Sequence, residues 1–144
     1  MKQKVAVEII SFLFILLFVY AATSKLADVE KFRIQIGQSP LLTDISYLIS
    51  WTIPSIELII AAMFVWVRFR LVALYSAFAL MLMFTIYIVA IMTLSEQIPC
   101  ACGGVLDRLG WKEHLIFNIV FVLFALFGIL LKTKMGEEET TVGA

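Results

Sequence analysis

The sequence predicts an all-α membrane protein: a four-helix transmembrane bundle with a short amphipathic surface helix in its first outer loop. Three observations carry that expectation. Of 144 residues, 62% are hydrophobic and 15% charged, whereas a soluble domain is closer to half apolar and a quarter charged. The apolar residues gather into four runs, each near the length of about 20 residues that a helix needs to cross hydrocarbon. Runs two and three are separated only by Arg68, Phe69 and Arg70, which suits a tight antiparallel hairpin.

In chain order the predicted spans are Val5 to Thr23, Ile45 to Val67, Leu71 to Leu94 and Leu115 to Leu131. Unpaired backbone groups are costly in lipid, so runs of this length are expected to be helical, and no alternating pattern argues for a barrel. The loop from Ser24 to Asp44 places Val29, Phe32 and Ile36 at helical spacing, and Gly37 and Pro40 then break the pattern. These residues predict the short surface helix. The loop from Ser95 to Glu113 holds Pro99, Gly103, Gly104 and Gly110, a composition suited to turns. The polar tail from Thr133 is expected to be disordered, giving a single membrane domain over residues 1–144. Net charge is zero, and no basic block with interleaved aromatics suggests nucleic acid as a partner.

Four crossings put the N-terminus, the Arg68 to Arg70 hairpin and the C-terminus on one side and the two longer loops on the other. Lys2, Lys4, Arg68, Arg70, Lys132 and Lys134 stand on the first side, and Lys25, Lys31, Arg33, Arg108 and Lys112 on the second. The first set sits in shorter, denser segments, which places both termini in the cytoplasm. In a bacterium the expected location is the inner membrane, with the loop of Cys100 and Cys102 in the periplasm, where disulfides persist. A cleaved signal peptide through Ala22 is the competing view of the N-terminus. Its apolar run is longer than a usual signal core, and cleavage would leave an odd number of spans.

Cys100 and Cys102 are the only cysteines, one residue apart, preceded by Pro99 and followed by two glycines. Placed outside the hydrocarbon, such a pair suits disulfide exchange. Two thiolates also suit a soft metal such as copper(I), while a zinc site would need two more ligands and His114 is the sole histidine; an inert or structural pair is the third alternative. Glu57 is the one ionisable side chain well inside a span. It is expected either to move protons or contact a quinone, or to be a neutral acid bonded to another helix. Pro54, three residues earlier, should loosen that helix. His114 and Asn118 share one helix face beneath the cysteine loop and can shuttle a proton or bind a carbonyl; the blander alternative is that they cap or bond a neighbouring helix. Lys25 is expected to lower a thiol pKa or to anchor its helix at the interface. The aromatic residues, including Trp51, Trp66 and Trp111, are expected mostly to face lipid or form interfacial belts, and no cofactor is assigned to them.

Several of these elements together resemble the MauE family, within the DoxX-like group of four-span membrane proteins. They are Ser24-Lys25-Leu26, Phe32 with Ser39-Pro40-Leu41-Leu42, Pro54 through Glu57-Leu58, Cys100-Ala101-Cys102-Gly103, and Asn118. The resemblance covers roughly residues 5 to 131, and Gly103 departs from it where the family usually has an aromatic residue. It implies a periplasm-facing thiol redox protein that supports disulfide formation in, or electron transfer to, a thioredoxin-like or disulfide-containing partner. The expected site residues are Cys100, Cys102, Glu57 and His114, with Asn118 toward a cofactor. No cofactor motif is evident. Quinone enters by analogy with DoxX-like relatives and vitamin K epoxide reductases. The alternative function is a non-enzymatic assembly subunit that holds other membrane proteins.

Overall fold

A computed structural model describes residues 1–39, 42–94 and 110–142. Among the described residues the α-helices are α1 (Lys2–Ala27), α2 (Val29–Gly37), α3 (Ser46–Val65), α4 (Arg70–Leu94) and α5 (Trp111–Val142). Helices α1, α3, α4 and α5 are each long and apolar enough to cross a bilayer. With no water in hydrocarbon to satisfy the peptide groups, these runs close their hydrogen bonds internally. Serine and threonine add to that closure: Ser11, Thr52, Ser55 and Thr85 each donate to the carbonyl four residues back. Helix α3 runs through Pro54, which is buried.

The four long helices form a ring in which each packs against two neighbours, in the order α1, α3, α4, α5 and back to α1. Side-chain contacts fix their directions. Near one end, Phe14 of α1 stacks on Phe64 of α3 and meets Phe121 of α5 edge-on, while Arg70 at the start of α4 reaches Glu8 at 3.8 Å. Toward the other end, Lys25 of α1 meets Glu57 of α3. Neighbours in the ring therefore run antiparallel, as short connections favour. A 3-10 turn at Val67–Phe69 makes the α3 to α4 hairpin.

Lipid tails are as apolar as leucine, so the helices are held by close packing and polar contacts more than by hydrophobic segregation. Small residues permit that approach. Ala61, Ala73, Ala77 and Ala125 are buried among Phe14, Phe64 and Leu74, and a Cβ added at Gly128 would lie 2.9 Å from Leu74 Cδ2 and 3.4 Å from Ile10 Cγ2. The opposite faces, with Phe12, Leu16, Ile59, Ile86 and Leu123, stay exposed, as lipid-facing surfaces should.

Helix α2 forms where predicted. Asp28 caps it, its carboxylate accepting from Lys31 N at 3.1 Å, and Phe32 and Ile36 are buried toward the bundle while Ile34 faces outward. At the C-terminal end the structure differs from expectation. Residues 133–142, expected to be disordered, continue α5 as far as Val142. Lys134, Met135, Glu137, Glu138 and Glu139 are good helix formers and no proline interrupts them, so the helix propagates past its last buried residue, Ile129. At 1.5 Å per residue, 32 residues make about 48 Å, well beyond a hydrocarbon core of about 30 Å.

Candidate functional site

At the end of the bundle away from the chain termini, α1, α2, α3, α4 and α5 enclose a cavity of about 320 Å³. Phe18, Phe32, Phe84, Phe117 and Trp111 supply aromatic wall, and the polar lining includes Lys25, Gln35, Glu57, His114 and Asn118. Each arrives for a local reason. Glu57 stands eleven residues after Ser46, about 16 Å along α3, on the same face as Pro54, Ile60 and Ala61. Lys25 lies two residues from the end of α1, where Phe32 and Ile36 of α2 fold over it. His114 and Asn118 follow the 3.6-residue period along one buried stripe of α5 that continues to Ala125, Gly128 and Ile129.

Lys25 and Glu57 form a buried ion pair, Nζ to Oε1 2.8 Å, with 9% and 1% of their side chains exposed. The ammonium also donates to the Ala21 carbonyl at 3.4 Å and lies 5.7 Å and 5.9 Å from the ring centroids of Phe32 and Phe84, within reach of cation–π attraction. Its positive charge thus has a carboxylate, a carbonyl and two ring faces around it. Other groups in the cavity are less satisfied. Glu57 Oε2, Gln35 Oε1 and Asn118 Nδ2 are buried with no hydrogen-bond partner among the described residues, although a buried polar atom normally has one.

The structure brings Glu57, His114 and Asn118, singled out in the sequence, to one cavity. Lys25 departs from one of its two expected roles, and the other, lowering a thiol pKa, falls on cysteines outside the described residues. It is not an interfacial anchor but the buried counter-ion of Glu57, because the long side chain extends inward from a helix that ends beneath α2. Trp111, expected to face lipid or an interface, lines the cavity, while Trp51 and Trp66 are exposed as expected. Gln35 was missed. Its one available signal was a place one residue before Ile36 on the short helix, too little to single it out. Cys100 and Cys102 lie outside the described residues, in the segment 95–109 that joins α4 to α5.

Chemically, the cavity offers an apolar slot with a polar corner whose two formal charges cancel. It can hold an uncharged molecule, orient it by hydrogen bonds and exchange protons through a carboxylate and an imidazole. No curated protein and no solved structure matches the chain. The family model described as methylamine utilisation protein MauE matches residues 3–131, a stretch that takes in α2, α3, α4, nearly all of α1, the first two thirds of α5 and every cavity residue named above, and the chain belongs to that family.

Proposed function

We propose that this multi-pass membrane protein serves methylamine utilisation as a thiol redox component of the bacterial inner membrane, with both termini cytoplasmic. Cys100 and Cys102 exchange electrons with a periplasmic partner. In the forward step a partner thiolate attacks the Cys100–Cys102 disulfide, and the second partner thiol resolves the mixed disulfide. The partner leaves oxidised and Cys100 and Cys102 become thiols. Reoxidation of that dithiol releases two electrons and two protons, which a lipid-soluble acceptor of the quinone class takes up to become a quinol.

The observation that carries this proposal is the buried cluster of Lys25, Glu57, His114 and Asn118 at the end of the bundle where α4 ends and α5 begins, the ends that residues 95–109 connect. A carboxylate and an imidazole near the helix ends that this segment joins in sequence are suited to handling the protons that thiol oxidation releases.

Trapping tests the proposal. With Cys102→Ser, Cys100 has no resolving thiol and should accumulate as a mixed disulfide with a periplasmic protein, visible on non-reducing gels and lost on reduction. If no adduct forms and a Cys100→Ser, Cys102→Ser protein still supports growth on methylamine, the thiols carry no electrons and the role is that of an assembly subunit.

A further inference from the structure

The unpartnered atoms of the cavity describe a ligand. Glu57 Oε2 and Gln35 Oε1 are acceptors that lack a donor, and Asn118 Nδ2 is a donor that lacks an acceptor, all buried among the described residues and all on residues that line one cavity. Glu57 is 1% and Asn118 3% exposed, so a partner for their unpaired atoms has to come from within the cavity, with a small shift of the side chains to admit it. Each orphaned group carries a desolvation cost that a bound partner would relieve.

Three ligand chemistries can be set against that pattern. A carbonyl satisfies only Asn118. A cationic amine satisfies only the two acceptors and is repelled by the Lys25 ammonium already there. A hydroxyl donates one hydrogen and accepts another, so it serves both kinds of orphan at once. The remaining lining selects for the body that carries the hydroxyl. Phe18, Phe32, Phe84, Phe117 and Trp111 present aromatic wall, and about 320 Å³ lies at the small end of ligand-pocket volumes, enough for one substituted ring. Because the Lys25 and Glu57 charges cancel, the cavity favours a neutral molecule.

We propose that the cavity is a binding site for an uncharged, lipid-soluble hydroxyarene whose ring lies against the aromatic wall and whose hydroxyl donates to Glu57 Oε2 and accepts from Asn118 Nδ2. Two sources share that chemistry, a quinol and a phenol without redox activity. The site stands on the cavity alone; its identity as the exit for thiol electrons rests on the redox function proposed above. In that case the reduced carrier is the form the cavity holds most tightly.

The test uses full-length protein in detergent carrying Trp51→Phe and Trp66→Phe, both at exposed positions, so that emission reports Trp111 in the cavity wall. Three compounds of matched size are titrated: trimethylhydroquinone, trimethylphenol and trimethylanisole, the last with its hydroxyl capped by a methyl group. Both hydroxyl compounds should change Trp111 emission saturably, with the anisole weaker by about tenfold or more, as expected for loss of the hydrogen bond donated to a charged group. Asn118→Leu removes the bond the ligand oxygen accepts and should weaken the hydroxyl compounds severalfold, while the bond donated to Glu57 still holds them tighter than the anisole. Equal affinity of anisole and phenol, or no saturable response to either hydroxyl compound, overturns the site. Tighter binding of the hydroquinone than of the phenol favours a quinol as the source, and parity or a preference for the phenol favours a phenol without redox activity; both uphold the site. Cys100→Ser, Cys102→Ser protein should bind as the parent does, so a failed trapping experiment with intact binding removes the redox function and leaves the ligand site in place.

Discussion

Replacing the members of the Lys25 and Glu57 pair singly and together tests the physical core of the site. At 2.8 Å and an effective dielectric constant of about 20, the attraction is about 6 kcal/mol. Placing each charge deep in a bundle costs about 3 kcal/mol on membrane-insertion scales. The two effects nearly cancel, so the intact pair adds little net stability. Glu57→Leu removes the attraction but leaves the ammonium with 9% of its side chain exposed, and Lys25→Met does the same to a carboxylate that is 1% exposed. Each single variant should lose about 3 to 5 kcal/mol, whereas the double variant, with no charge left to bury, should fall within about 1 kcal/mol of the parent. Equilibrium unfolding in mixed micelles supplies the four free energies of the cycle, and the coupling term should favour the pair by several kcal/mol. Additive losses, with the double variant as weak as the two singles summed, would refute the premise that the charges matter mainly to each other.

The remaining expectations concern packing, the orphaned amide, the terminal helix and the orientation. Gly128→Ala drives a Cβ to 2.9 Å from Leu74 Cδ2 and should destabilise the bundle by about 1 to 3 kcal/mol; Gly136→Ala, with nothing within 4 Å, should be neutral or stabilising by up to about 1 kcal/mol in the same assay. Asn118→Leu removes an amide whose Nδ2 has no partner among the described residues and should hold or raise stability while it weakens ligand binding, a split that loss of both together would contradict. Deleting residues 133–144 should leave the unfolding midpoint within experimental scatter, since from Gly136 to Val142 every residue is exposed; a marked drop would show that this segment packs on the bundle. A maleimide that cannot cross the membrane should label reduced Cys100 and Cys102 from the periplasmic side of intact cells, and labelling only after the cytoplasm is opened would invert the orientation.

How much of this was legible in the sequence depends on the range of the interaction involved. The crossings were plain because hydrophobic length is a local property: the predicted span Leu71 to Leu94 differs from α4 by a single residue at its start. The short helix was equally local, written in Val29, Phe32 and Ile36 and ended at Gly37. Glu57 stood out because an acid within an apolar run demands an explanation. Its partner did not, because residue position is a poor guide to depth. Lys25 ends a span and looks interfacial, yet α1 stops beneath α2, and a flexible four-carbon stem carries the ammonium inward. Trp111 and Gln35 were obscured in the same way, since only the packing of α2 on α3 and α1, with α4 and α5 closing the other side, turns them into cavity wall.

The distribution of buried polar groups argues that the site is kept for chemistry more than for cohesion. Toward the termini, the buried serine Ser11 bonds to the Val7 carbonyl and is satisfied, amid packing that is otherwise Phe14, Phe64, Leu74, Ala125 and Gly128. Toward the other end lie Lys25, Glu57, His114 and Asn118, and with them three of the four buried side-chain atoms that lack partners among the described residues. Apolar side chains of similar volume would fill that end with no desolvation cost and no orphaned atoms, and replacing a buried ion pair in this way is often stabilising. A fold under pressure for stability alone has no use for the polar cluster, and a fold that only scaffolds other subunits has no use for a cavity beneath it. Both features are accounted for by the proposed ligand, apolar in body and hydrogen-bonding at one end, which would complete the cluster.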